Sequence, residues 1–317
     1  MATPPSLTRR RALALSGTAA GGLLLAGGDP AGAAHRPRRQ RGKLPRKRIE
    51  EIVRAEGTLS SGVLGISIGR DDIGDVKGGM GVTFNAAFHV HGDLDFQPLG
   101  GGDAFLNGDL ALKPEEIQPV VDALLKAGLA FQAFHQHYFD WSPQVWFIHF
   151  RGVGDAVALA HKVRSVLDVT SAPFPQTMPS DPTTPLDSKR LGRILGGSAE
   201  IGEEGVVMAS VSRGDRIVVG EVVASPEANI STTVEIKPLD AAGTSAAVAP
   251  DLSLRADEVR PALRAMRRHG FEVGCLYNQE TAEHPQLYFA HMLATGDPYD
   301  LARKLRATLD KTRAEKA

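Results

Sequence analysis

Residues 109–128 read DLALKPEEIQPVVDALLKAG, and residues 251–270 read DLSLRADEVRPALRAMRRHG. The likeness continues without a gap over 109–168 and 251–310, where 19 of 60 aligned residues are identical at a constant offset of 142. Most of the other substitutions keep apolar character. The chain therefore carries two copies of one folding unit.

Each copy has a readable order of strands and helices. Apolar residues recur at helical spacing after Pro114, and Gly128 is a typical stop. The elements predicted for the first copy are a strand at 103–112, a helix from Pro114 to Gly128, strands within 129–138 and 144–151, and a helix at 155–168. With two or three further strands expected in 57–98, this β-α-β-β-α order predicts an α+β fold. Each unit would be an antiparallel sheet with helices on one face, ferredoxin-like with extra N-terminal strands.

Composition and charge predict five segments along the chain. The stretch 171–187 holds five prolines and is typical of a stiff linker. Residues 35–48 carry eight basic residues and no acid, whereas 49–317 carries 25 basic and 36 acidic residues. The predicted segments are a signal peptide at 1–33, a basic disordered tether at 34–48, a first unit at 49–170, the linker at 171–187 and a second unit at 188–312.

The charge asymmetry bears on partners. An acidic body argues against nucleic-acid binding, which needs a basic face. The basic tether could make weak contact with an anionic surface. The oligomeric state is left open by the sequence.

The N-terminal residues predict export. TRRRALAL at 8–15 precedes a short run of small and apolar residues, and Ala31-Gly32-Ala33 resembles a cleavage site. Paired arginines before a weakly apolar run favour the twin-arginine route, with an ordinary signal peptide as the alternative. The apolar run is too short to span a membrane. We expect a periplasmic or extracellular protein without a lipid anchor, since the only cysteine is Cys275.

Five of the ten histidines lie in the predicted strands of the first copy. They form two H-x-H pairs and a single residue: His89 and His91, His135 and His137, and His149. Residues i and i+2 of a strand point to the same face, so each pair aims two imidazoles at one point. His149 joins His135 and His137 if odd positions pair with odd positions, and a one-residue slip would put it on the other face. Such a cluster predicts a site for zinc or another divalent transition metal.

The second copy serves as an internal control. Tyr277 and Gln279 stand where the first copy has His135 and His137, so packing does not require those histidines. Asn229 and Ser231 replace His89 and His91. Only His149 has a histidine counterpart, His291, which favours a shared structural role for that pair. Half-buried strand histidines that bond to the backbone are the alternative interpretation of the whole cluster.

Carboxylates nearby could complete the site or act as a base. Asp93 lies two residues beyond His91 and is the best candidate, while Asp109 matches Asp251 and is better explained structurally. Cys275 matches Ala133, an apolar strand position, which favours a core role over a nucleophile. No G-x-S-x-G or H-E-x-x-H motif occurs.

The segments GDLAL at 108–112, EEIQPVVDALLKAG at 115–128, HQH at 135–137 and GVGDAVALAHKVR at 152–164 resemble a bacterial family of secreted proteins. That family is known from the mycobacterial lipoproteins LppY and LpqO. The resemblance implies tandem repeats in which an H-x-H pair, a turn with proline and an aromatic strand ending in histidine recur. It implies His135, His137 and His149 as the matching positions, and it carries no established activity.

The leading expectation is an exported protein that binds one transition-metal ion through the first copy. Its predicted ligands are His135, His137, His149, His89, His91 and Asp93. If three histidines left one coordination position open, the bound water could carry out hydrolysis. A metal-free interaction or small-ligand module is the third alternative.

Overall fold

The structure is a computed structural model, and it describes residues 37–315. The first copy contains α1 (Arg46–Val53), β1 (Thr58–Ser60), β2 (Val63–Gly69), β3 (Val76–Lys77), β4 (Thr83–Phe84), β5 (His91–Gly100), β6 (Asp103–Leu112), α2 (Ile117–Ala127), β7 (Ala130–His135), β8 (Trp146–Asp155) and α3 (Ala156–Leu167). The second contains α4 (Ser188–Leu195), β9 (Ser198–Ile201), β10 (Val207–Val211), β11 (Val218–Val219), β12 (Val222–Val223), β13 (Thr232–Pro238), β14 (Ala246–Arg255), α5 (Ala256–Arg268), β15 (Glu272–Val273), β16 (Glu283–His284), β17 (Leu287–Gly296) and α6 (Pro298–Leu309).

Each copy builds a six-stranded antiparallel sheet, and the two strand orders correspond. The first sheet runs β1-β2-β5-β6-β8-β7, and the second runs β9-β10-β13-β14-β17-β15. The predicted α+β fold and its duplication are confirmed. The region before β6 holds five strands rather than two or three, because β3 and β4 pair with each other outside the main sheet.

The helix after β6 illustrates how the sequence sets these elements. Pro114 opens a 3-10 turn at Pro114–Glu116, and the α-helix follows without a break. Gly128 ends it in the left-handed region at φ 65°, where a side chain would be strained. Val120 and Leu124 bury its apolar stripe against the sheet.

A buried ion network recurs in both copies and anchors these helices. Arg70 donates to Glu116, 2.9 Å away, and Arg213 occupies the same place with Glu258, also at 2.9 Å. Each glutamate also accepts the backbone N–H three residues before it, at the start of its helix. The duplication therefore extends to the polar interactions of the core.

The helices cover one face of each sheet, and the other faces turn toward each other. Two apolar clusters lie between the sheets, and each draws residues from both copies. In one of them Trp141 and Phe147 meet Ala249 and Leu293. Both copies belong to one compact unit. The inner faces therefore form a shared interior in which residues of the two copies meet.

The basic segment before the body differs from the predicted disordered tether over its described part. The Arg38 backbone N–H donates to the Glu221 carbonyl at 2.6 Å, and its guanidinium pairs with Asp103 at 2.7 Å. The Arg41 backbone N–H donates to Pro98, and α1 begins at Arg46. Backbone pairing and an ion pair hold this stretch against the body, so its charges are only partly free for a surface contact.

The predicted signal peptide at 1–33 lies outside the described residues. Among the helices found between residues 37 and 315, none has the length and apolar character needed to cross a membrane.

Candidate metal centre between the two copies

Strand pairing places one Asp–His pair of each copy on the inner faces. Asp109 on β6 lies opposite His149 on β8, and Asp251 on β14 lies opposite His291 on β17. After a bulge between Phe131 and Ala133, odd residues of β7 also pair with odd residues of β8, with Ala133 opposite His149. This is the register that sets His149 on the same face as His135, the alternative that the sequence left open.

Each of the two H-x-H pairs has one histidine at the end of a strand and the other just outside that strand. His135 ends β7, while His137 lies just beyond it; His91 begins β5, while His89 precedes it in the left-handed region at φ 66°. Asn229, the counterpart of His89, also has a positive φ of 56°. The turn thus belongs to the shared fold, whereas the imidazole belongs to the first copy alone.

Three imidazoles converge where the copies meet. One ligand nitrogen from each of His89, His137 and His291 lies within 4.8 Å of the others, and all three side chains are buried. His89 Nε2, His137 Nδ1 and both ring nitrogens of His291 have no hydrogen-bond partner. A buried polar atom without a partner costs about 1–3 kcal/mol, so these nitrogens call for a ligand. We call these residues the first ligand set.

A second group shares His291. Cys275, His135 and His291 also bring one ligand atom each within 4.8 Å of one another. The Cys275 sulfur lies 3.8 Å from His135 Nδ1, and His135 Nε2 lies 2.9 Å from His149 Nε2. We call Cys275, His135 and His291 the second ligand set. His149 contacts this set through His135.

His91 and Asp93 lie beside these sets rather than in them. His91 Nε2 lies 3.5 Å from a Glu235 oxygen, and its Nδ1 lies 3.0 Å from the Ala86 carbonyl oxygen. The Asp93 backbone N–H donates to Asp109 at 2.6 Å. All of these acidic side chains line a cavity of about 80 Å³ that the histidines of the first set also border. The cavity has room for an ion with a few waters.

Burial sets the charge state of the imidazoles. It lowers the pKa of His89, His137, His149 and His291, and that of His135 to about 3. Neutral imidazole is the form that binds a metal, since one ring nitrogen keeps its lone pair. The ligand histidines are therefore in the correct protonation state at neutral pH.

The flanking groups titrate differently. Burial opposes a charge on His91, but the Glu235 carboxylate, and after it Asp93, raises the pKa of His91 to about 9. Burial raises the pKa of Asp109 to about 8 and that of Asp251 to about 7. Burial likewise raises the pKa of the Cys275 thiol above its ordinary value. Carboxyl groups whose pKa lies near neutral pH suit a site that takes up a cation or exchanges protons.

Aromatic contacts fix the ring orientations. His137 stacks between Phe147, at 3.3 Å between ring centroids, and His291, at 3.7 Å. Tyr277 stacks on His135 at 3.6 Å and donates its hydroxyl to Asp251 at 3.2 Å. Tyr277 occupies the place of His135 in the second copy. The second copy therefore lacks this histidine, and the tyrosine in its place packs against His135 of the first copy.

Two functional candidates were missed by the sequence analysis. The recurrence of His291 in both copies favours a structural role, yet His291 belongs to both ligand sets. The match of Cys275 to Ala133 favours a core role, yet Cys275 is half-buried and turns toward His135. The available signal was the repeated Asp–His pair itself, since packing alone gives no reason to keep two polar residues on an inner face.

Comparison with known proteins agrees with the duplication. Residues 47–169 and 189–311 each match the family described as Domain of Unknown Function (DUF1259). The chain belongs to this family. No curated protein matches the chain. The two matched stretches cover well over half of the sequence, so the family accounts for both halves of the candidate metal centre.

Proposed function

We propose that this member of the DUF1259 family binds a transition-metal ion between its two copies, through His89, His137 and His291. The observation that carries the proposal is the convergence of three buried imidazoles whose ring nitrogens lack partners. Three neutral imidazoles suit Zn²⁺ above all, and Cu²⁺ or Ni²⁺ as well. The sequence-based ligand set is thereby revised, with His89 and His137 kept and His291 added.

Neighbouring groups support the ligand roles. His89 Nδ1 faces Glu235 at 3.8 Å, and the His89 backbone N–H donates to the same carboxylate at 2.9 Å. A carboxylate on one ring nitrogen holds the proton there and leaves Nε2, the unpartnered atom, for the metal. Asp251 lies 3.6 Å from His291 Nε2, beyond hydrogen-bond distance, so both ring nitrogens of His291 remain without a hydrogen-bond partner.

A hydrolytic role is the second candidate, and one observation favours it. Three histidine ligands leave a fourth position, and the cavity beside them is lined by Asp93, Asp109 and Glu235. A bound Zn²⁺ would supply an acidified water at that position, and a carboxylate is a suitable base. The cavity of about 80 Å³ suits a small substrate group. Turnover that a chelator abolishes and added metal restores would separate an enzyme from a binding protein.

Export is part of the proposal and is supported by residues 8–33 alone. Replacing Arg9 and Arg10 with lysine should retain the precursor in the cytoplasm if the twin-arginine route is used. Cell fractionation measures this, and unchanged export would contradict that route. The likeness to LppY and LpqO is also a proposal, and it is supported by the sequence segments at 108–112, 115–128, 135–137 and 152–164.

Elemental analysis of purified protein tests metal binding most directly. The double variant His89→Ala/His137→Ala should contain about one ion fewer per chain than wild type. His161→Ala is the matched control, because His161 is exposed on α3, and its metal content should equal that of wild type. Equal metal content in wild type and the double variant would contradict the proposal and favour a metal-free ligand-binding module.

A further inference from the structure

Cys275 faces the histidine cluster from the second copy. It follows β15, and its sulfur lies 3.8 Å from His135 Nδ1. The neighbouring Gly274 donates its backbone N–H to the His291 carbonyl at 2.8 Å, which ties this segment to β17. As the only cysteine of the chain, Cys275 has no internal disulfide to form. Two roles therefore remain for Cys275 beside the histidines: it binds a metal ion, or it only packs in the interior.

His291 distinguishes these two roles. Both of its ring nitrogens are buried without a partner, and the residue is only 4% exposed. A single ion held with His89 and His137 would use one nitrogen and leave the other unsatisfied. Cys275 and His135 are the ligand residues that approach His291 independently of the first set. The His291 nitrogen that the first ion does not use is therefore available to a second metal ion.

The hydrogen bond between His135 and His149 can leave Nδ1 of His135 able to bind a metal ion. Their Nε2 atoms lie 2.9 Å apart, so one of them must donate. If His135 donates, its neutral ring carries no proton on Nδ1, and that lone pair lies toward Cys275. In the other tautomer Nδ1–H donates to the Gln136 carbonyl oxygen at 3.3 Å, and metal binding moves that proton to Nε2. His149 then acts as a positioning residue that fixes the His135 tautomer, as outer-shell partners of metal ligands do.

We propose a second metal position, held by Cys275, His135 and His291, that binds a thiophilic ion such as Zn²⁺ or Cu⁺. A thiolate with two imidazoles is a soft ligand set. Coordination breaks the S–H bond, forms a metal–sulfur bond and releases the proton to solvent. Ligation through both nitrogens of His291 also breaks its N–H bond, so that the ring becomes a bridging imidazolate and a second proton goes to solvent. The inference deepens the proposed function, because His291 serves both positions and would link the two ions.

Titration of the apo chain with Co²⁺ tests this position, since a thiolate ligand gives a sulfur-to-metal charge-transfer absorption. Wild type should bind two ions and show that absorption. Cys275→Ser should bind one ion and lose it. His89→Ala/His137→Ala should keep the absorption and lose the other ion, and His161→Ala should match wild type.

The outcomes separate the two proposals. One bound ion without charge-transfer absorption in wild type would overturn the second position and leave the first intact. Loss of the absorption in His89→Ala/His137→Ala would also overturn it, because the sulfur would then belong to a single shared site. A measurement on unmutated protein guards against misfolded variants. Metal should slow alkylation of Cys275 at least tenfold, and equal rates with and without metal would contradict thiolate ligation.

Discussion

Replacing His291 with leucine separates a metal role from a structural one. A buried structural histidine stabilises the fold through its hydrogen bonds, but His291 has none through either ring nitrogen. Each unpartnered nitrogen costs on the order of 1–3 kcal/mol, and a residue of similar volume costs less than about 1.5 kcal/mol to accommodate. We therefore expect the metal-free His291→Leu variant to unfold within about 1 kcal/mol of wild type, or to be more stable.

The bound state should respond in the opposite way. A metal at 100 times its dissociation constant stabilises the folded protein by about 2.7 kcal/mol. For a body of roughly 280 residues that free energy raises Tm by about 5 °C, at about 2.1 cal/mol/K of unfolding entropy per residue. Wild type should show at least this rise between chelator and excess Zn²⁺, because the figure is for one bound ion. His291→Leu should show none, because both ligand sets lose a member. Urea unfolding and thermal scans under the two conditions measure both effects.

His149→Leu is the matched control, because His149 occupies the same position in the first copy. It should lose about 1–3 kcal/mol without metal, since the His135 Nε2 contact is broken, and it should keep the stabilisation that the first ligand set provides. The reasoning is refuted if metal-free His291→Leu is destabilised by several kcal/mol and gains as much from Zn²⁺ as wild type does.

Three further predictions address the surroundings of the site. Gly274→Ala should lower stability by about 1–3 kcal/mol and reduce metal content, because its Cβ would lie 2.2 Å from the His137 carbonyl oxygen; thermal scans and elemental analysis measure this. Arg213→Met should cost about 3–5 kcal/mol in urea unfolding, because it leaves Glu258 buried without its cation. Burial raises the pKa of Glu280 from 4.5 to about 7, despite its bond to Arg151. The folded protein therefore holds the proton more tightly than the unfolded chain does. The stability that comes from this difference is fully present below pH 4.5 and is lost as pH rises through 7. Between pH 4.5 and 8 wild type should therefore lose about 3 kcal/mol relative to Glu280→Gln, and equal pH profiles would contradict this.

Local patterns were sufficient to predict the elements of each copy. The helix stripe, Pro114 and Gly128 fix α2 through interactions within a few residues, so its bounds follow from sequence. The short pair β3 and β4 was not foreseen, because only two residues of each strand are paired and no periodic pattern forms. The pairing of Arg38 with Asp103 joins residues far apart in sequence, which no local pattern reports.

The candidate site was predicted only in part, and the reason lies in the duplication. Comparing the copies column by column treats each as a separate unit, so a residue kept in both is assigned to the fold. That inference fails when the copies face each other, because both then border one interior. His149 and His291 recur at equivalent positions, yet His149 orients His135 whereas His291 joins residues of the first copy. Tyr277 and Gln279 likewise mark the second copy as lacking the H-x-H pair, although β17 of that copy supplies the imidazole common to both ligand sets. Divergence between the copies thus gave one inner face most of the imidazoles and the other face the thiol, and neither copy alone contains a complete ligand set.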